Sequence, residues 1–245
     1  MNRWAIFLDV EGVTKIYPRD HLKFFVPFDA MLGALCRVGA KVYPETPVRL
    51  FAHQVGGDGL VVVSEFAEGR PIVPISLAVL LMQVLLVSGA VAKGGISEGD
   101  LSDVTGCFPS VREPCTADDG VGRLGGGLLT LFPVMGTALI NSHRFATRLP
   151  RGCRLGVDSA LMDHVPPGVV VTQRDGELVV VDWIHTETTT MNRIKEKIGL
   201  RLPTCHEREA LLVSYVRGTG ELADSDWGLN SLRLNGCEAF ERREE

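Results

Sequence analysis

Two acidic residues among the first sixty stand where carboxylates can do chemistry. Asp9 closes a short apolar run, Trp4-Ala5-Ile6-Phe7-Leu8. Asp58 sits in Gly56-Gly57-Asp58-Gly59, turn chemistry of the hairpin type between two apolar runs. If these strands are neighbours, both carboxylates project from one edge of a sheet. Hard divalent cations favour that arrangement, with few oxygen ligands and room left for phosphate oxygens. Two ions held by two carboxylates stabilise the attacking and leaving oxygens of phosphoryl chemistry. The glycines after Asp9 and around Asp58 let backbone N–H groups approach a triphosphate. Either aspartate alone reads first as a turn or cap residue. The two together, in these contexts, favour a metal pair.

The hydrophobic pattern predicts the elements that must carry them. Trp4 to Leu8 reads as a buried strand, and Glu11 to Thr14 as a turn. Phe28 to Val38 is a helix, with Met31, Leu32, Leu35 and Cys36 at helical spacing. Val48 to Val55 and Leu60 to Val63 are strands of one hairpin. A helix from Pro74 to Ser88 follows, ended by Ser88-Gly89, then a strand from Ala90 to Ile96. Glu98 to Gly127, rich in Gly, Asp and Ser, is a long excursion. Leu128 to Phe132 is a strand and Thr137 to Leu149 a helix. Val169 to Thr172 and Glu177 to Trp183 make a second hairpin. This order is an α+β sandwich, an antiparallel-containing sheet with helices packed on it. From Ile184 the chain becomes strongly charged, and residues 186–245 read as a solvated helical appendage with helices near Met191–Ile198 and Glu207–Val216.

Composition bounds the rest. The chain has 245 residues, 45% hydrophobic and 22% charged, with formal net charge −5. That suffices for one large domain or two small ones with a sizeable core. The charge balance argues against non-specific nucleic-acid binding. Asp9 and Glu11 interrupt the apolar core that a secretory signal would need. Six scattered cysteines without a C-x-x-C pair fit a reduced, cytoplasmic protein. Pro71 to Ala92 carries no charged side chain. It reads as a buried helix of roughly 22 Å and the strand after it, too short for a bilayer core of about 30 Å.

Other patterns carry less. Gly120-Val121-Gly122-Arg123-Leu124-Gly125 matches G-x-G-x-x-G, but it follows Asp118-Asp119 and leads into more glycine. A dinucleotide site needs a strand before it and a helix after it. His206-Glu207 lacks the second His of a zinc-protease helix, and the six histidines share no metal-ligand spacing.

Asp9-Val10-Glu11-Gly12-Val13-Thr14 resembles the first metal motif of class III nucleotidyl cyclases, and Gly57-Asp58 resembles the second. Lys93-Gly94-Gly95-Ile96-Ser97-Glu98-Gly99 is similar to their strand-and-turn motif Arg-x-Gly-Ile-x-x-Gly. Gly136 to Arg144 resembles the helix that supplies the transition-state Asn and Arg. The four motifs run in family order through residues 4–185. Gly56-Gly57-Asp58 also resembles the diguanylate cyclase signature, with Gly59-Leu60 in place of its Glu-Phe. The family's purine-reading residues would fall at Gln54 and Pro133, and neither residue fits the purine code. A Gln amide offers a donor and an acceptor, suited to a pyrimidine edge. Asn141 and Arg144 are three apart where the family has four, so Arg148 is the runner-up arginine.

A stand-alone domain of this kind is similar to the pyrimidine cyclases of bacterial anti-phage (Pycsar) defence. The resemblance implies a cyclase-type sandwich on a ferredoxin-like βαββαβ core, residues 1–185, with a C-terminal helical extension, residues 186–245. It implies conversion of UTP, or less favoured CTP, to the 3′,5′-cyclic nucleotide and pyrophosphate, and two Mn2+ or Mg2+ ions. Asp9, Asp58 and the Val10 carbonyl would hold metal, and the N–H groups from Glu11 to Thr14 would cradle phosphates. Gln54 and Lys93 would meet the nucleotide. Asn141 with Arg144 or Arg148 would serve the transition state from the other subunit of a homodimer. The cyclic product would activate a separate effector, without nucleic acid or membrane as partner. The alternatives are an inactive cyclase-like nucleotide-binding or dimerisation module, and an adenylyl cyclase.

Overall fold

Strand β1 (Arg3–Val10) sends its side chains alternately into two apolar layers. Trp4, Ile6, Leu8 and Val10 enter a large core, while Ala5 and Phe7 enter a second on the other face. A strand covered on both sides reads as a continuous apolar run, which is why Trp4 to Leu8 shows no polar alternation. The computed structural model describes residues 3–44, 49–66, 70–108, 121–124, 126–163 and 165–237.

After β1 come α1 (Val13–Ile16), α2 (Leu22–Val42), β2 (Leu50–Val55), β3 (Gly59–Ser64), α3 (Ile72–Val87) and β4 (Ala92–Gly99). These strands lie in the order β4-β1-β3-β2, with every neighbour antiparallel. That order and connectivity make the expected ferredoxin-like βαββαβ core. Four short strands follow, β5 (Ser102–Asp103), β6 (Val121–Leu124), β7 (Gly127–Thr130) and β8 (Val134–Met135), then α4 (Thr137–Arg148). They form two small ladders, β5 with β8 and β6 with β7. Strands β9 (Leu155–Asp158), β10 (Val171–Asp175) and β11 (Leu178–Val181) widen the main sheet to seven. β9 joins parallel to β4, with β11 and β10 beyond it. The chain continues through α5 (Thr189–Ile198), α6 (Cys205–Arg217) and α7 (Asp226–Arg233).

Helix α3 explains the charge-free run. Every residue from Pro74 to Leu86 is buried, as a helix apolar on all sides must be. Its polar side chains are answered inside the protein. Ser76 Oγ lies 2.6 Å from Thr188 Oγ1, and Gln83 Nε2 donates to the Trp183 carbonyl at 2.8 Å. Among the described residues no helix is long and apolar enough to cross a membrane.

Residues 186–237 are largely helical as expected, but their helices are not solvated on all sides. Met191, Ile194 and Ile198 of α5, and Leu212, Val213 and Val216 of α6, join the core that holds α2 and α3. In α5 these residues recur at i, i+3 and i+7, a stripe that averaged charge conceals. Other differences are local. Glu11–Thr14 runs into the helical turn α1, and α2 begins six residues before the predicted Phe28. Strand β9 and helix α7 escape the sequence pattern, because four and eight residues carry too little periodicity to stand out. Val48 lies outside the described residues, as do Gly120, Gly125 and residues 109–119 of the excursion. The described Val121–Leu124 pairs with β7 and opens no helix.

Candidate active site

Helix α4 lies on the Ala5–Phe7 face of the sheet because β4 has glycine beneath it. A Cβ at Gly95 would stand 2.1 Å from the Ser142 carbonyl oxygen and 2.7 Å from the Ala146 nitrogen. At Gly99 it would meet Thr137 Oγ1 at 2.4 Å. Two glycines four residues apart thus let the helix backbone rest directly on the strand. Asp100 fixes where the helix begins. Its carboxylate accepts from the Thr137 hydroxyl and, at 3.4 Å, from the Thr137 N–H. These bonds hold its carboxyl below the usual carboxylate range, with the Thr137 hydroxyl the main cause.

Asp9 stands near the end of β1, flanked in register by Gly59 of β3 and Lys93 of β4. The Val10 N–H donates to the Asp58 carbonyl at 3.2 Å, which ties the hairpin turn to the strand end. The expected meeting of Asp9 and Asp58 at one sheet edge follows from this pairing. Burial pushes the Asp9 carboxyl up, and the Asp58 charge adds to that; Lys93 and His143 pull it back. Two carboxylates that repel one another at a half-buried edge suit a divalent cation, which would relieve both costs. His143 comes from α4, its ring edge-on to Phe7 at 4.8 Å. Sequence reading passed over it because only packing brings α4 over β1.

The segment after Asp9 divides its backbone groups. The Glu11 N–H donates to Val91 O at 2.9 Å, so it and the Val10 N–H are committed within the fold. Gly12 has φ +81° and starts α1. The N–H groups that open a helix have no acceptor within it, which leaves Gly12, Val13 and Thr14 as the phosphate-facing part of the expected cradle. The Glu11 side chain turns to the C-terminal region, where Trp227 Nε1 donates to its Oε2 at 3.0 Å. Burial holds the Glu11 carboxyl up, partly offset by that bond.

Lys93 shares the Asp9 position across the ladder, but its Nζ donates to the Leu149 carbonyl at 2.8 Å, at the end of α4. Burial lowers its pKa, and Glu11 and Asp9 counter this. Asn141, Arg144 and Arg148 fall at i, i+3 and i+7, one stripe of α4. Arg148 Nη1 lies 3.0 Å and Arg144 Nη2 3.7 Å from Glu177 Oε2, on the β10–β11 hairpin. Phe145, Arg148, Asp175, Glu177 and Leu178 line a cavity of about 510 Å³ there. Within one chain, then, the arginines pair with Glu177 and not with Asp9.

Gln54 pairs in register with Leu60, whose side chain enters the α2–α3 core, and its Nε2 donates to the Gly57 carbonyl. His53 pairs with Val61, which pairs with Phe7, so His53 lies on the Asp9 face. There it stacks on Phe132, centroids 5.1 Å apart and planes at 15°. A strand's strict period of two decides which neighbour faces the site, and the motif spacing selected the other one.

No family model and no curated protein matches the chain. Among solved structures, it is similar to the guanylyl cyclase Cya2 at 12% identity and TM-score 0.47, covering 74% of this chain and 90% of that one. The dimeric guanylyl cyclase domain of the RhoGC fusion protein from the aquatic fungus Blastocladiella emersonii matches at 12% identity and TM-score 0.46, over 74% and 94%. A bacterial light-regulated adenylyl cyclase matches at 9% and 0.45, over 86% and 57%. What this chain does is therefore read from its own residues.

Proposed function

We propose that the protein is a class III nucleotidyl cyclase that converts a pyrimidine nucleoside triphosphate, UTP before CTP, to its 3′,5′-cyclic nucleotide and pyrophosphate. The observation that carries the reading is the union of Asp9 and Asp58 at one sheet edge through the Val10–Asp58 backbone bond. Residues 1–185 are the catalytic unit, and 186–245 an extension whose helices brace it. The cyclic product would act on a separate effector in defence against phage, inside the cytoplasm.

Asp9, Asp58 and the Val10 carbonyl would hold two divalent ions, Mn2+ or Mg2+. When bound, these ions would neutralise the triphosphate and make the ribose 3′-OH more acidic. The Gly12–Thr14 N–H groups would orient the phosphates as the 3′-OH attacks the α-phosphate in line. Arg144 or Arg148, with Asn141, would stabilise the charge that develops there. The ion pairs of the two arginines with Glu177, and not with Asp9, support delivery of this stripe to the partner's site in a homodimer. Exposed apolar side chains favour such pairing: Tyr17, Phe25 and Val26 follow the metal loop, and Met135 and Ile140 flank the Asn141 end of α4. Gln54, on the sheet face opposite Asp9, would reach the base edge only by releasing Gly57 and turning about the hairpin end.

The test is to incubate the protein with each of four α-labelled nucleoside triphosphates and Mn2+ and to separate the products. A cyclic product from UTP or CTP alone supports the proposal. Cyclic AMP alone would move the substrate to the adenylyl alternative. No turnover with any triphosphate leaves the binding-module reading.

A further inference from the structure

A second cluster of metal-type donors lies on the C-terminal side of the sheet. His185, Cys205 and Glu209 each present a ligand atom, and these atoms lie within 4.8 Å of one another. Around a tetrahedral zinc with bonds of about 2.0–2.3 Å, donor atoms sit roughly 3.4–3.8 Å apart. Small side-chain rotations close that gap. Cys205 and Glu209 are one helical turn apart on α6 and so share a face. His185 faces them from the turn after β11.

The ring of His185 is already oriented. Its Nδ1 lies 2.7 Å from Asp182 Oδ2, and its Nε2 contacts Glu209 Oε1. Asp182 is itself fixed, because its Oδ1 accepts the Ile184 and His185 N–H groups, each at 3.0 Å. A buried carboxylate on one imidazole nitrogen, which fixes the ring while the other nitrogen meets Glu209 with the Cys205 thiol within 4.8 Å, is the outer-shell arrangement of zinc-binding histidines. Cys205 is the first residue of a 13-residue helix capped by Thr204; burial pushes its thiol up, and the thiol donates to the Ile184 carbonyl at 3.7 Å, a proton that zinc would displace. His206 Nδ1 lies 3.5 Å from Glu209 Oε2.

We propose that His185, Cys205 and Glu209 form a structural zinc site, oriented by Asp182, that clips α6 to the end of β11. The thiol and imidazole donors select zinc over the hard ions suited to Asp9 and Asp58. Binding releases the Cys205 thiol proton, and any proton on His185 Nε2, to solvent. The proposal is independent of the cyclase reading, since none of these residues belongs to that site.

The test uses the full chain, stripped with chelator and desalted, then equilibrated with ZnCl2 or CoCl2. Elemental analysis should find one tightly held zinc per chain, and cobalt should give a thiolate-to-metal charge-transfer band with tetrahedral d–d absorption. Cys205→Ser and His185→Gln should each abolish the band and the retained zinc. Asp182→Asn should weaken affinity by about 10–100-fold, and Asp9→Ala should leave it unchanged. The proposal is overturned if the wild-type chain keeps no zinc, if its cobalt form lacks the thiolate band, or if Asp9→Ala and not Cys205→Ser removes the metal.

Discussion

Gly95 lies directly beneath Ser142, so that a Cβ there would be 2.1 Å from the Ser142 carbonyl oxygen. The clash is with backbone, which no rotamer change can relieve. Gly95→Ala should therefore lift or shift α4, costing about 1–3 kcal/mol of stability. A displacement near 1 Å of a helix that carries the proposed Asn141 and Arg144 or Arg148 costs about 100-fold in rate, so on the proposed reading turnover should fall more than stability does. Denaturant melts and initial rates on the same preparation measure both.

Asp9 is ionised at a stability cost, through burial and through the facing Asp58. Asp9→Asn should raise the metal-free Tm by roughly 2–4 °C, the shift that about 1 kcal/mol produces in a chain of this size. On the proposed function, the same change should abolish both cyclisation and the stabilisation by Mn2+ expected of the wild type. Thermal scans with and without Mn2+ check it. A variant as active as wild type would end the two-carboxylate account.

The Asp100–Thr137 contact predicts an acid-sensitive helix start. A carboxyl held below its ordinary value stabilises the fold fully above the ordinary carboxylate range and loses that contribution as pH falls through the lowered value. Amide exchange at residues 137–141, corrected for intrinsic rates, should show fraying of α4 as the pH drops from neutral to about 3. Asp100→Asn should fray at every pH and flatten the profile.

Trp227 joins the C-terminal helices to the segment after Asp9 through its bond to Glu11. Trp227→Phe keeps an aromatic ring but loses the indole N–H and some packed surface, removing a bond to a carboxylate worth about 1.5–3 kcal/mol. Turnover should fall several-fold as the loop loosens, and Glu11→Gln, which keeps an acceptor, should be milder. Steady-state kinetics of the two variants compare them.

Arg154 is 1% exposed, and its guanidinium has no hydrogen-bond partner among the described residues. Burial brings its pKa down to about 10. Replacing an uncompensated buried charge with a side chain of similar reach should stabilise the protein. Arg154→Met should raise the denaturant midpoint by the equivalent of about 1–2 kcal/mol. A lower midpoint would mean that the charge has a partner worth more than its burial costs.

The sequence by itself determined the βαββαβ order, because each element is long enough to show its period or is bounded by unmistakable turn chemistry. Gly56-Gly57-Asp58-Gly59 carries hairpin turn chemistry, and the uncharged Pro71–Ala92 run, long enough by residue count to cross a bilayer, reads as a buried helix and the strand after it. It also marked Asp9 and Asp58, since both are backbone-ordered by neighbours in sequence. Tertiary structure alone decided what meets across elements. It set His53 and not Gln54 on the Asp9 face, turned Arg144 and Arg148 toward Glu177, and brought α7 to Glu11. It also gathered His185, Cys205 and Glu209, which share no motif spacing because their ligand atoms come from a turn and a helix some twenty residues apart. The physical reason is common to all of these. Periodicity encodes which face of an element is apolar, whereas the register of a strand and the contact between packed helices are fixed only when the core closes.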